Sequence, residues 1–260
     1  MLPVGTFERF AEYFDLISQT FVNYEKECDT LEKIWKNTCR KKPKSILDVA
    51  CGTGSHAVIL AKLGYEVTGI DVSKPMIKKA EEKARKKRIR AEFHVQDMRK
   101  IKLGRKFDCA ICMFGGLGYM LTYQDLTNLF SGLKQHLIRN GLFAFHFWNI
   151  RGVRPSPYRS WIRVQDKGLT VYRLSESNFD PQTNIITLGM NFIVIEKDGL
   201  VETFSELHKV RCFTLAELRQ YLADNGFSLV TAYDWDAEDK TELKVPRRET
   251  FGILAVAKSV

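Results

Sequence analysis

Between Ser45 and Trp148 short apolar runs alternate with amphipathic stretches, and this alternation restricts the fold more than any other feature of the chain. Ser45–Ala50 (SILDVA), Tyr65–Ile70 (YEVTGI), Ala91–Val95, Phe107–Met113 and Leu142–Trp148 read as strands. Ser55–Leu63, Ser73 to about Arg88, and Asp125–Leu137 read as helices. Gly64 ends the first, Ser73 caps the second and Asn140-Gly141 closes the third. Strands that are apolar throughout and separated by helices belong in a parallel sheet covered on both faces.

The flanks read differently. Phe7, Phe10, Tyr13, Phe14 and Ile17 recur at helical spacing, and Tyr24–Cys39 carries Leu31, Ile34 and Trp35 on one face. After the loop Arg151–Pro157 come strands only, at 161–166, 168–177, 184–196 and 200–212. Their turns hold Asp166-Lys167-Gly168, Asp180-Pro181 and Lys197-Asp198-Gly199. Thr214 and Glu217 then have capping-box spacing, and Gly226 follows the helix they open. Phe227–Tyr233 and Phe251–Ala257 make a final hairpin around the charged loop 234–250. The expected division is one α/β domain from 1–150 and 213–260, with 1–40 as a helical cap. Residues 151–212 read as an inserted antiparallel β subdomain.

Composition excludes several classes. With 45% hydrophobic and 27% charged residues the chain is globular rather than disordered. Its longest apolar run, Leu142–Trp148, is interrupted by His146, so no membrane span is expected. Met1–Phe10 includes Glu8 and Arg9 and has no long apolar core, so no secretory signal and a cytoplasmic location are expected. Cys109 and Cys112 stand three apart on a strand and face opposite sides, so they cannot share a metal, and none is expected. The net charge of +9 admits a nucleic-acid partner. Much of that charge lies in Lys78–Arg90, where Glu81 with Arg85 and Glu82 with Lys86 have the i,i+4 spacing of a solvated helix face, which is favoured.

The chemistry begins at Asp48-Val49-Ala50-Cys51-Gly52-Thr53-Gly54-Ser55, at the end of the first strand. Glycines there let a ligand approach the backbone, and the next helix offers free N–H groups. Gly52-x-Gly54-x-x-Ala57 also fits a dinucleotide fingerprint, so a nicotinamide oxidoreductase stays open at this point. Asp71 ends the second strand, where an acid accepts from ribose hydroxyls. Asp97 ends the third, placed to accept from an adenine amino group with Met98 against the ring. Three acids at consecutive strand ends outweigh the alternative in which Asp71 and Asp97 merely cap helices.

With these motifs the chain resembles the Rossmann-like S-adenosylmethionine-dependent methyltransferases. Asp48–Gly54, Gly69-Ile-Asp-Val-Ser73 and Gln96-Asp97-Met98 carry the likeness. Leu103–Phe107, Cys112-Met-Phe114, Gly118-Tyr119, Tyr13-Phe14-Asp15, Phe204–His208, Phe213-Thr214 and Gly226-Phe227 are similar to the amino-sugar N,N-dimethyltransferases. The chain differs from that group at Gly115-Gly116, Tyr119 and His146–Asn149, positions that face the acceptor.

The resemblance implies a seven-stranded methyltransferase sheet with a C-terminal antiparallel hairpin, and an inserted antiparallel sheet, 151–212, that covers the substrate. It implies S-adenosylmethionine as cofactor, with S-adenosylhomocysteine as product. The candidate cofactor residues are Tyr13, Tyr24, Asp48, Ala50, Cys51, Gly52, Gly54, Asp71, Val72, Met76, Asp97, Met98, Met113 and Phe114. Tyr119, Trp148 and Asn149 are the acceptor candidates. Tyr119, His146 and Tyr13 are the catalytic candidates, since an amine must be neutral to attack and a nearby base helps. His146 titrates nearest neutrality, while a tyrosine suits an orienting role. The expected reaction is in-line transfer of a methyl group to a small molecule, an amine nitrogen foremost. RNA or protein methylation through the basic surface is the alternative, and a homodimer through the inserted sheet is a further expectation.

Overall fold

A computed structural model describes residues 7–39, 41–197 and 199–260. Positions 1–6 and 40 of the expected helical cap, and Asp198 of the third turn, lie outside the described residues. The chain opens with helices α1 (Phe10–Ser18) and α2 (Tyr24–Thr38). There follow β1 (Ser45–Val49), α3 (Ser55–Lys62), β2 (Glu66–Asp71), α4 (Lys74–Lys87), β3 (Glu92–Val95), β4 (Phe107–Cys112), α5 (Tyr123–His136) and β5 (Leu137–Trp148). Strands β6 (Tyr158–Asp166), β7 (Leu169–Asp180), β8 (Ile185–Glu196) and β9 (Gly199–Arg211) come next. Helix α6 (Leu215–Asp224) and strands β10 (Phe227–Asp234) and β11 (Gly252–Ser259) close the chain.

The strands form a seven-stranded sheet, ordered β10-β11-β5-β4-β1-β2-β3, and a four-stranded meander, ordered β6-β7-β8-β9. In the large sheet β1 to β5 are parallel, and β11 runs antiparallel to both β5 and β10. Its two faces bury different sets of side chains because successive residues of a strand point opposite ways. Phe143, Phe145 and Phe147 of β5 are wholly buried on the face covered by α5 and α6. Each contributes about 1.5–3 kcal/mol by leaving water. Leu142 and Ala144 face the other layer, with Leu31, Ile34 and Trp35 of α2 and Ala57 and Leu60 of α3. Cys109 packs in this second layer and Cys112 in the first, on opposite faces of β4 as their spacing requires.

The meander packs its inner face on α1. Val164, Val171, Met190, Phe192 and Val194 bury against Phe10, Tyr13 and Ile17. Both ends of this excursion meet at one place. Asn149 and Phe213 form a parallel bridge, the Phe213 N–H donates to the Trp148 carbonyl (2.9 Å) and the Ile150 N–H donates to the Phe213 carbonyl (3.0 Å).

One local expectation is corrected. Asn140-Gly141 does not close α5, which ends at His136; both residues lie inside β5. Asn140 has φ +63°, and a Cβ on Gly141 would meet the carbonyls of Ile138 and Asp108 at 2.9 and 3.0 Å. The pair makes an irregularity where the pairing of β4 with β5 shifts register. A glycine after an asparagine marks left-handed backbone in either setting, so the residue types alone did not distinguish them.

Candidate active site

The carboxyl ends of β1, β2 and β4, the segment after β3, α1 and the inner face of the meander enclose a cavity of about 960 Å³. Its floor is the turn after β1. Ala50, Gly52 and Gly54 all have positive φ, at 55°, 55° and 71°. The turn is fastened to β2: the Gly52 N–H donates to Asp71 Oδ2 (2.9 Å) and the Cys51 N–H to the Ile70 carbonyl (2.9 Å). Nothing lies within 4 Å of where a Gly52 side chain would begin, so this stretch of backbone stays open to the cavity. A Cβ on Gly54 would instead lie 2.8 Å from that of Ala80 and 2.9 Å from the Phe93 ring. Gly54 therefore serves the packing of the turn against α4 and β3, and it is not among the cavity-lining residues.

The three acids occupy the cavity wall in different states. Asp71 accepts from Gly52 and, through Oδ1, from the Ser73 N–H (2.8 Å). Asp97 caps a short helical turn through the Arg99 N–H (2.9 Å) and is gripped by the Arg99 guanidinium, which also reaches Asp125 (3.2 Å). Burial alone would raise the Asp97 pKa, but these bonds hold it below the ordinary value. Asp48 is 1% exposed, and its Oδ2 has no hydrogen-bond partner. Burial pushes its pKa up to about 7, with the His56 charge opposing and Asp71 assisting. Tyr24, Cys51, Val72, Met76, Met98, Met113 and Phe114 complete this end, and Phe114, like Ala50, has positive φ.

The opposite end is built by a short helical turn, Gly116–Tyr119, packed against β9. The Tyr119 hydroxyl lies 3.0 Å from Nδ1 of His208, and Nε2 of that ring lies 3.5 Å from Glu206 Oε2. Glu206 also accepts from the Phe7 N–H (2.9 Å), while the Phe7 ring packs on both His208 and Tyr119. Burial raises the Tyr119 pKa, so the phenol keeps its proton at neutral pH. Trp148, Leu188, Met190 and Arg173 also line this end, with Phe14, Phe21 and Phe114 packed together toward α1.

Three further sequence candidates stand outside the cavity lining. Tyr13 donates to Glu202 (2.5 Å) and stacks on Phe204, so it joins α1 to the meander. His146 points into the layer beneath α2 and α3, where a Cβ on Gly252 would lie 2.9 Å from its Nε2. Burial lowers its pKa to about 4, which removes it as a base in the cavity. Asn149 donates to the carbonyls of Thr250 (2.8 Å) and Arg248 (3.2 Å), fastening the end of β5 to the segment before β11. His208 and Glu206 are functional candidates that sequence reasoning passed over. The available signal was alternation in β9: Phe204, Glu206, His208 and Val210 share one face, while Leu207 on the other is 51% exposed.

Residues 46–141 match the family described as Methyltransferase domain. The chain is 32% identical over 173 residues to the dTDP-3-amino-3,4,6-trideoxy-alpha-D-glucopyranose N,N-dimethyltransferase of Streptomyces venezuelae, covering 66% of this chain and 70% of that one. It is 28% identical over 222 residues to the dTDP-3-amino-3,6-dideoxy-alpha-D-glucopyranose N,N-dimethyltransferase of Streptomyces fradiae, covering 84% of each. Among solved structures, an S-adenosylmethionine-dependent methyltransferase from Clostridium acetobutylicum superposes with a TM-score of 0.81 at 22% identity, covering 96% of this chain and 97% of that one. This last likeness establishes the fold.

Proposed function

Because the chain belongs to the S-adenosylmethionine-dependent methyltransferases, we propose that it methylates an amine nitrogen of a small molecule, an amino sugar being the acceptor suggested by its relatives. S-adenosylmethionine is its cofactor. The reading rests on one observation: a single cavity joins an unpartnered buried carboxylate at the glycine turn to a hydrogen-bonded hydroxyl–imidazole pair under the meander, with the Glu206 carboxylate 3.5 Å behind the imidazole. We read residues 1–150 with 213–260 as the cofactor-binding domain and 151–212 as the subdomain that roofs the acceptor.

The cavity fits that cofactor chemically. Asp48 Oδ2 lacks a partner, so a cationic group would complete it, as the ammonium of a methionyl arm would. Asp71 and Asp97 have acceptor capacity for ribose and adenine groups, and Met98 supplies an apolar face. When bound, S-adenosylmethionine supplies a methyl group made electrophilic by a sulfonium.

The remaining work falls to the chain. The Tyr119 oxygen accepts a hydrogen bond from the amine and orients its lone pair. As the amine loses its proton, the tyrosine hydroxyl passes its own to His208 Nδ1, and Glu206 stabilises the imidazolium. Helix α1 and the meander line this end with apolar side chains, among them Phe10, Leu188 and Met190.

Calorimetric titration of the full chain with S-adenosylmethionine and with NAD tests the cofactor. Release of S-adenosylhomocysteine across a panel of amino sugars tests the acceptor. Tyr119→Phe should lower kcat by about 10²-fold with cofactor affinity unchanged. Turnover at the native rate would eliminate the relay.

A further inference from the structure

The inner face of the meander carries a cation that the steps above leave unused. Strand register sets Ile162, Arg173, Phe192 and Phe204 in one row and Ser160, Ser175, Met190 and Glu206 in the next. Arg173 and Ser175 both line the cavity. Nε of Arg173 and Oγ of Ser175 are buried without hydrogen-bond partners. The Arg173 guanidinium stands 5.7 Å over the Phe21 ring, and no carboxylate among the described residues pairs with it. Arg99, the other arginine of the lining, is neutralised by Asp97 and Asp125.

A half-desolvated guanidinium with no counter-charge is unfavourable in an apolar setting, and arginine does not relieve it by giving up its proton. A bound oxyanion does relieve it, through charge-assisted hydrogen bonds to the planar fork. The serine two residues on, on the same face of β7, adds a hydroxyl donor. We propose that Arg173 and Ser175 bind an anionic group, a carboxylate or a phosphate, carried by the methyl acceptor. This rests on the methyltransferase reading and assigns the acceptor's charge class.

Register also bears on where that group stands. Arg173 and His208 are two strands and two rows apart. At about 4.8 Å per strand and 3.3 Å per residue this separates their Cα atoms by roughly 16 Å. The two side chains therefore enter the one cavity from separate places on the inner face of the meander.

The test is calorimetry on the full chain saturated with S-adenosylhomocysteine, using two matched pairs. One sets a hexosamine phosphate against the free hexosamine, the other an ω-amino acid against its amide. The anionic member of at least one pair should bind about tenfold more tightly than its neutral partner. Which pair responds distinguishes phosphate from carboxylate. Arg173→Met should abolish the preference while S-adenosylhomocysteine affinity stays native, and Arg173→Gln is the second variant, closer in polarity. Equal affinities within both pairs, or a preference that survives in either variant, overturn the proposal. Failure to bind S-adenosylhomocysteine would instead sink the methyltransferase reading itself.

Discussion

Two carboxylates at the ends of adjacent strands, Asp48 and Asp71, are treated differently by the fold. Asp71 is tied to two backbone N–H groups, whereas Asp48 keeps an oxygen with none. Asp48 therefore binds a proton far more tightly in the folded chain, near pH 7, than the 3.8 of an ordinary aspartate. Such a carboxyl contributes stability that is fully present below about pH 4 and lost as pH rises through about 7. Asp48→Asn should thus stabilise the ligand-free protein at pH 8 by something on the order of a few kcal/mol. The gain should vanish below pH 4, as denaturant midpoints across pH will show. The acids were legible in the sequence because their positions at strand ends carry meaning whatever their neighbours do. His208 was not, because its importance lies in a 3.0 Å contact with Tyr119, 89 residues away. The left-handed backbone at Ala50 and Phe114 was equally hidden, since neither residue type favours it.

At the level of elements, the contact between the Gly116–Tyr119 turn and β9 governs whether the Tyr119–His208 pair of the proposed relay assembles. A Cβ on Gly118 would lie 2.3 Å from Val210 Cγ1 and 3.2 Å from the Arg211 carbonyl. Gly118→Ala should force the turn away from β9, lowering stability by about 1–3 kcal/mol. Turnover should fall further than stability explains, while S-adenosylmethionine affinity is largely kept. Thermal unfolding and steady-state kinetics on one preparation will separate the effects. Strand and helix positions were readable from periodicity because each element buries one face or both. The close approach of turn to strand was not, because a glycine beside a tyrosine shows no partner until the topology brings Val210 to it. Asn140-Gly141 misled for a related reason: the same residue types serve a helix end and a strand irregularity.

Across the whole molecule, α1 connects the two halves. Its Asp15 accepts from Thr53 (2.6 Å) of the glycine turn and from Lys83 (2.8 Å) of α4, while Phe10 and Tyr13 grip the meander. Asp15→Ala should cost no more than about 1 kcal/mol, as expected for a partly exposed pair. It should nonetheless quicken hydrogen exchange along α1 and raise the KM for S-adenosylmethionine severalfold. Unchanged exchange would show that the meander alone holds the helix. Phe7, Phe10, Tyr13, Phe14 and Ile17, recurring at helical spacing, announced α1 in the sequence, but not that its two sides would serve the two halves, Phe10, Tyr13 and Ile17 the meander and Asp15 the glycine turn.

The paired anchorage at Asn149 and Phe213 has a longer-term consequence. A segment that departs from a scaffold and returns at a single hydrogen-bonded point can be exchanged for another of the same footprint, with little disturbance to the rest. On the proposed division, in which residues 151–212 roof the acceptor, descent rewrites the choice of acceptor in this cassette while the nucleoside half is inherited unaltered.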